Sequence, residues 1–134
     1  MTKTVLVTGS NRGIGLEFCS QLKQRGFNVI ATCRQSSTQL EELGVEVVEN
    51  VAVSDSKSLA TLAAALADRS IDWLINNAGI ADGIAMDELN EQSIASCKRM
   101  YEVNSLGPLL TTQALVNNLG EGSKVGIITS RMRS

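Results

Sequence analysis

The sequence contains no histidine, and this absence removes much of the common catalytic chemistry. Without an imidazole, neither a serine–histidine–aspartate triad nor almost any catalytic zinc site can be assembled, so no metal site is predicted. Basic residues are not in excess either, since 12 lysines and arginines stand against 14 acidic residues, for a net charge of −2. Because binding to nucleic-acid phosphates requires a basic surface, this balance argues against a nucleic-acid partner.

Cysteine and long apolar runs are also scarce. The three cysteines, Cys19, Cys33 and Cys97, are an odd number without a C-x-x-C pair, which predicts reduced, buried intracellular thiols. No apolar run reaches the ~18–20 residues that span a bilayer, and the first strand begins too early for a signal peptide. We therefore expect a cytoplasmic protein without a membrane partner. Its 134 residues, 43% hydrophobic and 19% charged, are typical of one globular domain over residues 1–134.

Short apolar runs alternate with helical patterns along the whole chain. The predicted strands are 4–7, 28–33, 45–49, 71–75 and 124–129, and the predicted helices are 13–25, 37–43, 56–67 and 88–119. Strands that alternate with helices form βαβ units, whose crossovers are almost always right-handed. The sequence therefore predicts an α/β fold, a Rossmann-type doubly wound parallel sheet of order 3-2-1-4-5 that ends after the fifth strand.

A glycine-rich turn follows the first strand. In the segment Thr8-Gly9-Ser10-Asn11-Arg12-Gly13-Ile14-Gly15, three glycines let the backbone curl tightly and come close to a bulky anion. The free N–H groups of the helix that follows then face a pyrophosphate. The position between a strand and a helix of the first βαβ unit favours dinucleotide binding over a purely structural turn.

The spacing T-G-x-x-x-G-I-G resembles the fingerprint of the short-chain dehydrogenase/reductase family. Three further segments resemble motifs of that family in the correct order: N-N-A-G at 76–79, V-N-x-x-G-P at 103–108, and a fifth strand that leads into Ser130. The amino-acid sequences of these segments are most similar to those of the carbonyl-reductase and C-factor branch. The resemblance implies an oxidoreductase that transfers a hydride between a nicotinamide dinucleotide and a small carbonyl substrate.

The resemblance also implies roles for individual residues. Asn104 and Ser130 take the catalytic positions, and Asn104 would support a proton-relay water where Pro108 interrupts its helix. The alternative is that Asn104 only terminates one helix segment. The implied cofactor-binding residues are Gly9, Asn11, Arg12, Gly13, Ile14, Gly15, Arg34, Val53, Asn77, Ala78 and Gly79.

The choice of dinucleotide depends on the charge at the end of the second strand. An acidic residue there accepts from a ribose 2′-OH, whereas arginine pairs with a 2′-phosphate. The strand ends in Cys33-Arg34, and Arg12 lies in the glycine turn, so NADP(H) is preferred and NAD(H) stays possible. Ala52 stands where the family usually has an aspartate that contacts adenine, which predicts reduced affinity. Asp55 is better explained as a helix cap.

The catalytic acid of the family is missing from the sequence. The family uses a tyrosine and a lysine spaced Y-x-x-x-K after the serine, and Ser130 is four residues before the last residue. Tyr101, the only tyrosine, is followed four residues later by Ser105. We expect a nearly complete cofactor half with an incomplete catalytic site. The alternatives are an active reductase completed by a partner or a further segment, and a non-catalytic partner of full-length relatives.

The predicted helix 88–119 carries apolar residues on more than one side, which are Leu109, Leu110, Ala114, Leu115 and Val116. Helices of this kind are buried on more than one side. Together with an exposed edge of the fifth strand at 125–129, this surface predicts a homo-oligomer.

Overall fold

The structure is a computed structural model and describes residues 2–79 and 90–128. The strands are β1 (Thr4–Thr8), β2 (Asn28–Thr32), β3 (Glu46–Val48), β4 (Ile71–Asn76) and β5 (Leu119–Ile127). The helices are α1 (Gly13–Gln24), α2 (Thr38–Glu42), α3 (Ser56–Leu66), α4 (Glu91–Tyr101) and α5 (Gly107–Ala114). A π-helical segment, Glu102–Leu106, joins α4 to α5, and a 3₁₀ turn, Val116–Asn118, precedes β5.

The five strands form one parallel sheet in the order β3-β2-β1-β4-β5, which confirms the predicted order. The central strand β1 is apolar without interruption, and its residues Val5, Leu6 and Val7 are completely buried. Strands have such uninterrupted apolar sequences when helices cover both faces of their sheet. The carboxyl ends of β1, β2 and β4 therefore meet at one edge, where open α/β sheets bind ligands.

Each face of the sheet has its own apolar core. Val5 and Val7 pack with Cys19 and Leu22 of α1 on one face. Leu6 packs with the α3 leucines on the other face, because successive side chains of a strand point to opposite sides. The start of α3 is fixed by Asp55, whose Oδ1 accepts the Lys57 N–H at 3.1 Å, as predicted for a helix cap.

The prediction of a single helix over 88–119 was wrong. From Glu91 to Ala114 the chain is helical but contains the π-helical segment, in which the Gly107 N–H donates to the Glu102 carbonyl five residues back. The extra residue lies directly before Pro108, whose ring lacks an N–H and cannot continue the α-helical ladder. β5 begins at Leu119, where the prediction still had helix, and its pairing with β4 shifts between Ile71 and Trp73.

The side chains of α4 are more exposed than the sequence suggested. Among residues 91–101, all of them described, none is buried, and Cys97 is exposed although a buried thiol was predicted there. Cys19 and Cys33 are buried as expected. Within the described ranges no helix is long and apolar enough to cross a membrane.

Candidate functional site

The turn after β1 and the turn after β4 are joined through the side chain of Thr8. Its Oγ1 accepts the backbone N–H of Asn77 at 3.0 Å and that of Ala78 at 2.9 Å. The Asn77 side-chain amide donates in return to the Gly9 carbonyl at 3.1 Å. We call the two bonds to Thr8 Oγ1 the Thr8 bridge. Thr8 was part of the motif match, but its bridging role was missed, because its partners lie about 70 residues away along the chain.

Two glycines of the first turn are required by the close approach of these turns. Gly9 has a φ of +64°, and a Cβ at this position would lie 2.7 Å from the Ala78 Cα. A Cβ at Gly15 would overlap the Gly9 carbonyl oxygen and lie 2.5 Å from the Asn77 side-chain nitrogen. Any larger residue at either position would therefore force backbone to move.

Gly13 differs from the other two glycines because the space beside it is open. Its φ is +58°, yet a Cβ there would meet nothing within 4 Å. Gly13 and Ile14 are exposed at the start of α1, where the first helical bond is from the Leu16 N–H to the Arg12 carbonyl. The N–H groups of residues 13–15 precede that bond, and the first turn of α1 contains no acidic residue. This end of α1 suits an anion.

The floor of the glycine turn is fixed to the sheet by Ser10, which is completely buried. The Ser10 hydroxyl donates to the Val7 carbonyl at 2.6 Å, and its N–H donates to the Thr32 carbonyl at 3.1 Å. Burial raises the pKa of the Cys19 thiol beneath it, against a smaller lowering by the hydrogen bond with Ser10. Cys19 is a packing residue of the core, and the two Ser10 hydrogen bonds hold the turn on the sheet.

Arg12 and Arg34 are both exposed at the same edge of the sheet. Among residues 2–79 and 90–128, neither guanidinium forms an ion pair with a carboxylate. The backbone of Arg34 is held by the Asn50 N–H, which donates to its carbonyl at 3.1 Å. Two residues further on, the Ser36 N–H donates to Glu49 Oε2 at 2.9 Å. The sequence analysis did not identify Glu49, because Glu49 follows β3 and its partner Ser36 follows β2.

The structure brings Asn104 against the turn after β4. A Cβ at Gly79 would lie 3.1 Å from Asn104 Oδ1, so the small residue leaves room for this side chain. Val53 is only 7% exposed and packs against Gly107 at the start of α5, which shows a packing role for its side chain. Asn11 is half-buried within the turn. Ser130 lies outside the described residues.

The predicted site residues on β1, β2 and β4 therefore meet at one edge of the sheet. Within residues 2–79 and 90–128, this edge contains the N-terminus of α1 without an acidic residue in its first turn, two guanidiniums without a carboxylate partner and the amide of Asn104, which together can hold an extended anionic ligand. In the described part of the chain, no cluster of three or more histidine, cysteine, aspartate or glutamate side chains is placed to hold a metal ion.

Comparison with known proteins agrees with this geometry. The family model of the short chain dehydrogenases matches residues 3–131. The chain is 38% identical to 1-hydroxy-2-glutathionyl-2-methyl-3-butene dehydrogenase of Rhodococcus sp. strain AD45, over 98% of this chain and 58% of that protein. It is 31% identical to the NADP-dependent 3-hydroxy acid dehydrogenase of Escherichia coli K12, over 92% of this chain and 52% of that protein.

Solved structures show the same relationship. A carbonyl reductase from Pseudomonas aeruginosa PAO1 in complex with NADP has a TM-score of 0.86 and 29% identity, over 99% of this chain and 63% of that one. The NADPH-bound carbonyl reductase from chicken fatty liver has a TM-score of 0.73 and 32% identity, over 87% of this chain and 51% of that one. The chain thus spans somewhat more than half the length of these relatives. From residue 3 to residue 131, this chain belongs to the short-chain dehydrogenase/reductase family.

Proposed function

We propose that these 134 residues bind a nicotinamide adenine dinucleotide, with NADP(H) preferred, as the cofactor half of an oxidoreductase. The observation that carries the proposal is the turn at the N-terminus of α1, which follows the Thr8 bridge and in which the space beside Gly13 is open to an approaching anion. The N–H groups of residues 13–15 would hold the pyrophosphate. Asn77, Ala78 and Gly79 would lie along the ribose of the nicotinamide half.

The preference for the phosphorylated dinucleotide rests on charge. A 2′-phosphate beside Arg34 and Arg12 would meet two guanidiniums that have no carboxylate partner in the described ranges. The P. aeruginosa and chicken carbonyl reductases were solved with NADP and NADPH, respectively. NAD(H) stays the alternative, since the glycine turn and the turn after β4 offer the same contacts to both dinucleotides.

A bound dinucleotide would supply or accept a hydride at a carbonyl carbon. Among the chain's own residues, Asn104 is placed at the turn after β4, and Ser130 is its proposed catalytic partner. The sequence has no Tyr-x-x-x-Lys, and Tyr101 is 59% exposed on α4. A phenol acts as a proton donor near neutral pH only when its pKa is lowered by a neighbouring cation. For residues 1–134 by themselves, we therefore infer cofactor binding without carbonyl reduction at the rates of the family.

Titration calorimetry with NADPH and with NADH tests this proposal directly. We expect saturable binding of one NADPH per chain and weaker binding of NADH, because only NADPH carries a phosphate for the two arginines. In the same samples, a reactive aromatic aldehyde should cause no NADPH oxidation above background. No heat with either dinucleotide would refute the proposal. Equal affinities would refute the preference, and rapid NADPH oxidation would favour the active reductase.

We further propose that the chain self-associates through α5 and β5. Large apolar side chains are exposed on and beside these elements, with Leu109 at 63%, Val116 at 58% and Ile127 at 56%. In the described part of the chain, β5 is also an edge strand. Exposed apolar groups near an unpaired strand edge favour association with a second copy.

Light scattering at increasing protein concentration should show a dimer or a larger assembly. A Leu109→Lys substitution places a charge in the proposed contact and is expected to shift the protein to a monomer. Gln24→Lys, at an exposed position of α1 on the opposite face of the sheet, serves as a matched control that should keep the assembly. A clean monomer of the unchanged protein at high concentration would contradict the proposed contact.

A further inference from the structure

Several hydrogen bonds join the loop after β2 to the turn after β3, and two of them lie beside Arg34. The Ser36 N–H donates to Glu49 Oε2 at 2.9 Å, and the Asn50 N–H donates to the Arg34 carbonyl at 3.1 Å. Asn50 has a φ of +63° and therefore adopts the left-handed conformation. Asparagine is one of the few residues other than glycine that tolerate this conformation. The backbone therefore holds the Glu49 carboxylate against the loop that begins with Arg34.

The negative charge of Glu49 affects the thiol of Cys33, directly after β2. Burial, followed by the charges of Glu49 and Glu41 and a smaller effect of Cys19, raises the pKa of the Cys33 thiol to about 11. Cys33 directly precedes Arg34 in the sequence. Glu49 forms no ion pair with a described residue. The loop around Arg34 thus contains a carboxylate, held by the Ser36 N–H, as well as a guanidinium.

We propose that Glu49 sets how strongly this site distinguishes NADP(H) from NAD(H), an inference that rests on the proposed function. A 2′-phosphate beside Arg34 is attracted by the guanidinium and repelled by the Glu49 carboxylate. The Ser36 N–H, two residues after Arg34, could donate a hydrogen bond to a phosphate oxygen. It already donates to the Glu49 carboxylate. A ribose 2′-OH carries no charge and meets neither penalty. Glu49 therefore weakens the binding of NADP(H) but not that of NAD(H). It reduces the preference for NADP(H) over NAD(H) that the two arginines create.

Glu49→Gln separates charge from structure. Its amide oxygen can still accept the Ser36 N–H, so the loop keeps its support while the negative charge is lost. We expect NADPH to bind roughly three- to tenfold more tightly, which is the range for one screened charge near the surface, and NADH to change less than about twofold. Glu49→Ala also releases the Ser36 N–H and is expected to give at least the same gain for NADPH.

Salt and a control variant show whether the effect is electrostatic and local. The gain for NADPH should shrink between about 50 and 500 mM salt, because the Debye length falls over this range. Glu42→Gln removes an equal charge from an exposed position on α2 and is expected to leave both affinities within about twofold. Thermal unfolding of each variant confirms that it is folded before its affinity is compared.

The outcomes separate this inference from the proposed function. If the unchanged protein binds neither dinucleotide, the proposed function is wrong and the role of Glu49 falls with it. If it binds NADPH, but Glu49→Gln and Glu49→Ala change NADPH and NADH equally or not at all, the inference is overturned and cofactor binding stands. A rise in affinity confined to NADPH in both variants supports it.

Discussion

Replacing Ile14 with aspartate is expected to weaken NADPH binding by roughly 30-fold or more and to leave the protein folded. Ile14 is the second residue of α1 and is 62% exposed at the turn proposed to receive the pyrophosphate. An acidic side chain in the first turn interacts favourably with the helix dipole, so folding stability should stay the same or rise slightly. The same charge repels a pyrophosphate, at about 2 kcal/mol or more for charges a few ångströms apart at intermediate dielectric.

Ile14→Asn is the matched control, because asparagine has the size and polarity of aspartate without its charge. We expect it to bind NADPH within about threefold of the unchanged protein, since Ile14 is largely exposed and little apolar contact is lost. Calorimetry gives both affinities, and thermal unfolding reports the stability of each variant. Equal binding by the aspartate and asparagine variants would place the pyrophosphate elsewhere.

The order of the sheet was predictable, because strands that are buried on both faces have continuous apolar sequences. Val5, Leu6 and Val7 form a continuous apolar run, and Leu74 with Ile75 does the same in β4. Each run ends at small residues where the chain must turn towards a helix. The right-handed crossover rule then leaves few arrangements, so local patterns sufficed for the fold.

The break between α4 and α5 could be placed but not described from sequence. Pro108 predicts an interruption of the helix, but it does not indicate whether the helix ends, kinks or gains a π-helical segment. The early start of β5 had no local signal, because Gly120 and Gly122 are poor strand formers. This part of β5 is stabilised by tertiary contact, since the Ser123 hydroxyl donates to the Ile71 carbonyl at 2.7 Å.

The candidate site shows the same division between local and long-range information. The glycines and Arg34 could be proposed from sequence, because spacing within a single turn or strand end points to them. Glu49 was missed because it lies 13 residues from Ser36 in the sequence and reaches it only when β3 pairs with β2. Its contact depends on the register of the two strands, which no motif within one segment encodes.

A Thr8→Val variant is expected to lose about 2 kcal/mol of unfolding free energy and to bind NADPH at least about tenfold more weakly. Valine matches the shape of threonine, and Thr8 is 1% exposed, so packing is preserved while the Thr8 bridge is removed. The N–H groups of Asn77 and Ala78 then lose their acceptor in a half-buried position. Binding falls as well, because only the bond from the Asn77 amide to the Gly9 carbonyl then joins the glycine turn to the turn after β4.

Thr8→Ser keeps the oxygen and loses one methyl group, so it should cost about 1 kcal/mol and retain NADPH binding. Urea unfolding and calorimetry on the two variants separate loss of the bridge from loss of packing. If valine is as stable as threonine and binds NADPH equally well, the bridge does not support the site.

Asn77→Ala provides an independent check on the bridge, because it removes the returning bond from the Asn77 amide to the Gly9 carbonyl. The two bonds of the bridge and this third bond join the same two turns, so their effects on stability should not add. Once the bridge is gone, the two turns are already held together less firmly, and the loss of the Asn77 amide costs less than it does in the unchanged protein. A double-mutant cycle with Thr8→Val should therefore give a coupling free energy above about 0.5 kcal/mol, whereas independent contacts would give a value near zero.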